Sequence, residues 1–272
     1  MSQNGAPSLR LTKHHGLGND FLVLLDIEGR HPVGADLVRS ACDRPHSIAA
    51  NGLIWATEGT YGAYVTMELF KADGGRGEMS GNGVACLAQA VVLAGLAGSE
   101  RVTVDTETGM RTIEVEPTAM ARTQLARVAM GPVEMGDDEP EWLDDEVIQA
   151  VRIDMGNPHL VRHVPDPEAA PDIEERGRLI NDHVRGGFNV EVIRVGPGET
   201  ELTMAVYGRG VGPTRSGGTG ACAAAAAAKA WDLIGDRVTV NMPGGPVQVE
   251  LGQEVHLTTR VTAVAAIDFY WP

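Results

Sequence analysis

Two short stretches carry residue types that can do chemistry. Glu78-Met79-Ser80-Gly81-Asn82-Gly83-Val84-Ala85-Cys86 has a near-copy in Thr214-Arg215-Ser216-Gly217-Gly218-Thr219-Gly220-Ala221-Cys222. In each, a Gly-x-Gly tripeptide runs straight into a small and apolar segment, Val84 to Ala94 in the first and Ala221 to Ile234 in the second. A glycine-rich turn that opens a helix leaves backbone N–H groups of the first turn without intrahelical partners. With the positive end of the helix dipole, these donors make an anion site. Two such starts in one chain point to two helices that serve one anionic ligand.

The likeness extends beyond the turns. An offset of 137 residues sets Ser80 over Gly217 and Phe70-Lys71-Ala72-Asp73-Gly74 over Tyr207-Gly208-Arg209-Gly210-Val211. With one residue of slip, Gly18-Asn19-Asp20-Phe21 falls over Gly156-Asn157-Pro158-His159, and Asn51 falls over Asn189. Matches in one order and nearly one register indicate an internal duplication, two similar halves each of domain size.

These segments need elements to position them. Strands are expected at Leu9 to Lys13, Phe21 to Leu25, Gly52 to Glu58 and Ala63 to Phe70, from their apolar runs and alternation. Arg101 to Asp105, Met110 to Glu116 and Arg122 to Val133 read the same way, as do Val147 to Asp154, Asn189 to Val195, Glu201 to Val206, Arg237 to Asn241, Pro246 to Leu251 and Val255 to Phe269. Pro32 to Cys42 and Ile173 to Leu179 read as short helices, Met135 to Trp142 as an acidic turn-rich boundary, and Pro165 to Pro171 as a loop. Most connections are hairpin-like, which predicts mixed or antiparallel sheets wrapped around one helix per half.

Composition narrows the function classes. A chain of 272 residues suits two domains with proper cores. The net charge of −15 argues against nucleic acid and against an anionic membrane surface as partners. The three cysteines, Cys42, Cys86 and Cys222, are too few and odd in number for a disulfide framework, and no spacing resembles a zinc site. Cys86 and Cys222 lie in apolar runs and read as small hydrophobes, while His14 and His15 read as surface residues. No signal-like leader and no window of 18 apolar residues is present, so a cytoplasmic protein is expected. No motif calls for a metal, a nucleotide or a flavin.

Taken in order, the segments make the chain resemble the diaminopimelate epimerases, within the superfamily that includes proline racemase and the phenazine-pathway isomerase. The resemblance rests on Gly18-Asn19-Asp20-Phe21, Ala72-Asp73-Gly74 with Glu78 through Gly83, Gly156-Asn157-Pro158-His159-Leu160, Asn189-Val190-Glu191, and Arg209 through Gly212 with Thr214 through Ala221. It implies an α/β (α+β) fold of two pseudo-symmetric lobes, each a mixed or antiparallel sheet around a central helix. The implied lobes are residues 1–124 plus 262–272 and residues 125–261, with the active site in the cleft between them and a homodimer common in the family. It implies no cofactor and a small carboxylate substrate, bound by Asn19, Gly81, Asn82, Gly83, Asn157, Asn189, Arg209, Gly218, Thr219 and Gly220. Arg209 can pair a carboxylate in bidentate fashion. In the family two cysteines act on opposite faces of the α-carbon, one thiolate removing a proton and the other thiol delivering one.

This chain departs from that pattern where the chemistry happens. Ser80 stands for the first cysteine and Gly217 for the second. The histidine that supports the first is kept as His159, whereas the glutamate that supports the second has become Gly208. An asparagine that holds the distal end of the substrate has become Lys71, and an aspartate before glycine has become Asn51. A serine hydroxyl needs its own base, and glycine has no proton to give, so inversion by two side chains is unavailable. Changes beyond the two cysteine positions favour natural divergence over a deliberate knockout.

The resemblance, so modified, implies a cofactor-independent isomerase of a small amino-acid-derived carboxylate. It would work by one-sided proton transfer, moving a C=C or C=N bond in a specialised, antibiotic-type pathway. The catalytic candidates are His159, Ser80 and Lys71. The bland readings are an inherited polar residue for His159, a helix N-cap for Ser80 and a solvated rim lysine for Lys71. The alternatives are a diaminopimelate epimerase (LL to meso) inactivated at its two cysteines, and a carboxylate-binding protein without catalysis.

Overall fold

The computed structural model describes residues 8–98, 101–139, 142, 147–165 and 172–271. The expected loop at Pro165 to Pro171 lies almost entirely outside them. The chain divides into two units, Met1–Val128 with Arg260–Pro272, and Ala129–Thr259.

The first unit opens with β1 (Ser8–Gly16) and β2 (Asn19–Leu25), an antiparallel hairpin. Its two turn residues, Leu17 and Gly18, both have positive φ (53° and 87°), the backbone that matches strand twist in a two-residue hairpin. Then come α1 (Ala35–Cys42), β3 (Gly52–Glu58), β4 (Val65–Lys71), α2 (Gly81–Leu93), β5 (Val102–Thr106), β6 (Gly109–Pro117) and β7 (Thr123–Gly131). β2 and β3 are parallel with α1 in the crossover, and β4 and β5 are parallel with α2 in the crossover. Parallel neighbours need such a connection, and a helix fills it.

The second unit holds β8 (Glu134–Asp138), β9 (Gln149–Asp154), β10 (Pro158–His163), α3 (Ile173–His183), β11 (Asn189–Val195), β12 (Glu201–Gly208), β13 (Gly212–Thr214), α4 (Gly218–Ala230), β14 (Arg237–Met242) and β15 (Gly245–Glu250). The last strand, β16 (Val255–Tyr270), pairs through its first part with β15 and through its last part with β1. In the first unit β16 also neighbours β7, so the sheet β1 to β7 closes through it.

The two units repeat one topology. β9 and β10 are antiparallel, β10 and β11 parallel across α3, β11 and β12 antiparallel, β12 and β14 parallel across α4, and β14 and β15 antiparallel. Those senses match β1 through β6 in order. One detail of the sequence alignment changes. The ladder sets Phe21 beside Gly52 and His159 beside Asn189, so Asn189 corresponds to Gly52, and Asn51 sits one position earlier.

Each central helix explains its composition. α2 packs on β1, β2, β3, β5 and β6, and α4 packs on β9, β10, β11, β12, β14 and β15. Residues Gly81 to Val91 are all buried, as are Gly218 to Ala228 apart from Ala226. A helix without a wet face must be apolar all round, and small side chains let strands approach it from several sides. Among the described residues no helix is long and apolar enough to cross a membrane.

Two expectations are corrected. Glu134–Asp138 forms a strand, β8, paired antiparallel to β9. All five of its residues are exposed, so it carries no alternation to read, and acidic side chains suit an unprotected edge. His14 is not a surface residue, since it is 1% exposed. Gln89 on α2 donates through Nε2 to the carbonyls of Arg122 (3.1 Å) and Val261 (3.2 Å), which fixes its amide orientation. Its Oε1 therefore accepts from His14 Nδ1 at 2.9 Å, and His14 Nε2 accepts from the Thr12 hydroxyl at 3.0 Å. Burial holds the His14 ring below its usual range for protonation, with the Gln89 bond opposing and His15 adding to the effect.

Candidate active site

In the first unit the hairpin end and the β3 entry bring Asn19 and Asn51 together, with Asn51 Nδ2 donating to Asn19 Oδ1 at 2.9 Å. Asp20 holds this corner. It pairs with Lys13 Nζ at 3.1 Å and Arg44 at 2.9 Å, and its carboxylate accepts the Asn51 N–H at 3.1 Å. Arg44 also donates to Asn51 Oδ1. Lys71 ends β4 directly opposite Gly52, and the next residue, Ala72, donates its N–H to the Asn51 carbonyl at 3.1 Å. The Lys71 side chain is half-buried and has no hydrogen-bond or ion-pair partner among the described residues.

Ser80 sits at the N-cap of α2 in extended backbone (φ −133°, ψ 112°), and its Oγ accepts the Gly83 N–H at 3.0 Å. One lone pair of its oxygen is thus engaged as a cap, which leaves the second lone pair and the hydroxyl proton. Gly81, Asn82 and Gly83 are buried in the first helical turn. Asn82 lies against Gly16, where an added Cβ would stand 2.9 Å from Asn82 Oδ1, so the strand end must be glycine for the side chain to fit. A cavity of about 310 Å³ in this unit is lined by Glu68, Arg76, Glu78, Met79, Ser80 and Asp105, with others. It reaches the site residues only at Ser80.

In the second unit β10 and β11 assemble a polar chain inside an apolar sheet. His159 is 1% exposed and Glu191 fully buried. His159 Nδ1 lies 2.8 Å from Glu191 Oε1, and Nε2 lies 3.0 Å from Asn157 Oδ1. Asn157 Nδ2 in turn donates to Thr219 Oγ1, in the first turn of α4, at 3.4 Å. Asn189 donates to the Pro158 carbonyl at 3.1 Å and accepts the Arg209 N–H at 3.0 Å. Arg209 Nη1 donates to the Gly186 carbonyl at 3.0 Å. The structure therefore unites Asn157, His159 and Thr219 in one chain of contacts, and Asn189 with Arg209 in a second.

Gly217 is the N-cap of α4 in extended backbone (φ −149°, ψ 112°) and supplies no side-chain cap. An added Cβ there would meet nothing nearer than Val206 Cγ1 at 3.6 Å, so sterics do not demand a glycine. Gly208 is buried, and a Cβ there would sit 3.2 Å from Thr214 Cγ2. Gly218 and Gly220 flank Thr219 in the buried first turn. Beside the first turn of α4, the buried ionisable side chains in contact are His159 and Glu191.

Glu191 is the buried partner of His159 that the sequence reading did not single out. Its signal was an acid in the middle of the β-branched run Val190, Val192 and Ile193. The cysteines play no such part. Cys86 and Cys222 are fully buried and their thiols are pushed far up, while burial, then Asp20, raises Cys42 to about 11. Among the described residues no cluster of His, Cys, Asp and Glu is arranged to hold a metal ion.

Comparison with known proteins gives this geometry a family. The model described as diaminopimelate epimerase matches residues 11–136 and 151–265. The chain is 32% identical to the diaminopimelate epimerase of Synechococcus elongatus, over 94% of this chain and 96% of the relative. It is 33% identical to that of Desulfitobacterium hafniense, over 90% and 92%. Three solved structures share the fold at low identity. They are a hydroxyproline epimerase from Agrobacterium vitis with bound trans-4-hydroxy-L-proline (TM-score 0.73, 15% identity, 99% of this chain and 94% of that one), a phenazine biosynthesis protein of the PhzF family from Bacillus anthracis (0.72, 13%, 96% and 99%), and a methylitaconate-delta-isomerase (0.63, 10%, 97% and 96%). By sequence match and by fold, this chain belongs to the diaminopimelate epimerase family, among epimerases and isomerases.

Proposed function

We propose that the protein is a cofactor-independent isomerase that moves a double bond in a small amino-acid-derived carboxylate by proton transfer on one face. The observation that carries this reading is the uneven survival of the site. Both helix starts keep Gly-x-Gly, whereas the two thiol positions hold a capping serine and a glycine. A carboxylate can still be bound by first-turn N–H groups, and a two-thiol inversion cannot be run.

His159 is the preferred proton carrier, because its ring is held by a partner at each nitrogen, while the Lys71 ammonium is held by none among the described residues. One base suffices for the reaction. It removes a proton from one carbon, the electron pair moves into conjugation with the carboxylate or imine, and the same proton is returned at another carbon. Nothing is oxidised or reduced. An imidazole can take a proton at one ring nitrogen and give it back from the same atom. An unsaturated cyclic amino acid of the alkylproline-precursor kind is the substrate class that fits, and a specialised biosynthetic pathway is where such an acid would arise. The methylitaconate-delta-isomerase shares this fold, and its name describes a double-bond shift.

The identity of about a third to curated diaminopimelate epimerases favours a second reading, a protein that still handles diaminopimelate. Ultraviolet assay of an unsaturated cyclic amino acid separates the two. Loss of the conjugated absorbance change in His159→Phe by about 10²-fold or more, with ligand affinity kept, supports the isomerase. Turnover undiminished in that variant would remove His159 from the mechanism.

A further inference from the structure

Glu191 has no role in the family pattern as it reads in this sequence, yet it makes the shortest contact in the His159 chain. We propose that Glu191 is a positioning residue for His159: its carboxylate fixes the proton on Nδ1 and leaves Nε2 as the nitrogen that gives and takes protons. This rests on the reading that His159 carries the proton.

The internal duplication supplies the control. In the first unit Phe21 pairs with Gly52, and Ile54 follows two residues on; in the second His159 pairs with Asn189, and Glu191 follows two residues on. Phe21 and Ile54 are 4% and 0% exposed, and His159 and Glu191 are 1% and 0% exposed. The same place in the same topology is therefore filled once by two apolar side chains and once by an ionisable pair. Stability alone favours the apolar filling, because a buried ion pair must recover the hydration of both groups. Among the described residues the Glu191 contacts gather on Oε1, which faces His159, and Oε2 has no hydrogen-bond partner.

The neighbourhood is built around the carboxylate. A Cβ added at Gly220 would run into Glu191 Oε1 and lie 3.1 Å from its Cδ, so glycine at position 220 leaves the acid room beside the first turn of α4. There the positive end of the helix favours a negative charge. Gly220 thus serves Glu191 as well as any ligand. On the other side of the ring, the Asn157 amide can present Oδ1 to an Nε2–H. After a half-turn it can present Nδ2–H to a bare Nε2 instead. Asn157 accommodates both protonation states of Nε2, and Glu191 keeps Nδ1 in one.

The test reads the ring directly by nitrogen NMR of histidine-labelled protein without substrate, so it stands apart from the identity of the reaction. The wild type is expected to carry a proton on Nδ1 of His159. In Glu191→Leu that preference is lost, and kcat on a turned-over acid falls by about 10²-fold with KM within about threefold. The double variant His159→Phe with Glu191→Ile, which copies the first unit, is expected to fold with a Tm no lower than wild type. A wild-type ring protonated on Nε2 alone, an unchanged tautomer in Glu191→Leu, or a Tm lower by more than about 10 °C in the double variant would overturn the proposal.

Discussion

Ser80 and Gly217 occupy equivalent places at two helix starts, and neither carries a group that can invert a carbon centre. Ser80 spends its oxygen on the Gly83 N–H, and Gly217 leaves its helix without a side-chain cap. The proton carrier proposed in their place is His159, held between Glu191 and Asn157. The contact between Gly220 and Glu191 makes a prediction that separates two similar glycines. Gly220→Ala drives a methyl into the buried Glu191 carboxylate, whereas Gly83→Ala meets Ser80 Cβ at 3.1 Å. Overpacking of the first kind costs about 1–3 kcal/mol, so thermal unfolding should place Gly220→Ala several degrees below Gly83→Ala. Equal Tm values would mean that the carboxylate moves aside freely.

At the scale of elements, α2 is anchored by a polar pin as well as by apolar packing. Gln89 ties the helix to the carbonyls of Arg122 and Val261, and His14 ties it to β1. Burial lowers the His14 pKa, so the unfolded chain takes up a proton that the folded chain refuses. The sign follows directly: the pin is intact above the ordinary histidine range near 6.5, and stability falls as pH drops below it, by up to about 1.4 kcal/mol per unit. His14→Gln should flatten this part of the Tm profile between pH 7.5 and 5.5 relative to wild type. An unchanged slope would assign the pH dependence to other groups. Most strands and both central helices were legible because their signals are local: apolar runs, alternation, and glycines before small residues. β8 was not, since an all-exposed acidic edge has no period. The burial of His14 was not either, since it depends on Gln89, 75 residues away.

At the scale of the whole chain, the duplication was the most informative feature of the sequence, and the repeated strand senses of the two units show it in three dimensions. The ladder register refined it by one residue at Asn51, a difference that no sequence offset could resolve because both asparagines lie beside a strand start. The same register made Phe21 and Ile54 a reference for His159 and Glu191, an acid that stood in a recognised segment without a role of its own. The candidate site was legible in its glycines and asparagines, which sit in recognisable turns. Its buried acid was hidden inside a strand that otherwise reads as core.

The proposed function rests on an asymmetry between duplicated halves: Gly-x-Gly helix starts in both, and a buried His–Glu pair in one. A proton NMR time course in D₂O tests it most directly, with LL-diaminopimelate in one sample and an unsaturated cyclic amino acid in another. Deuterium is expected to enter the unsaturated acid as its double bond moves, with no meso-diaminopimelate in the other sample. Formation of the meso form with deuterium at the inverted carbon would contradict it, because groups on both faces would then be at work.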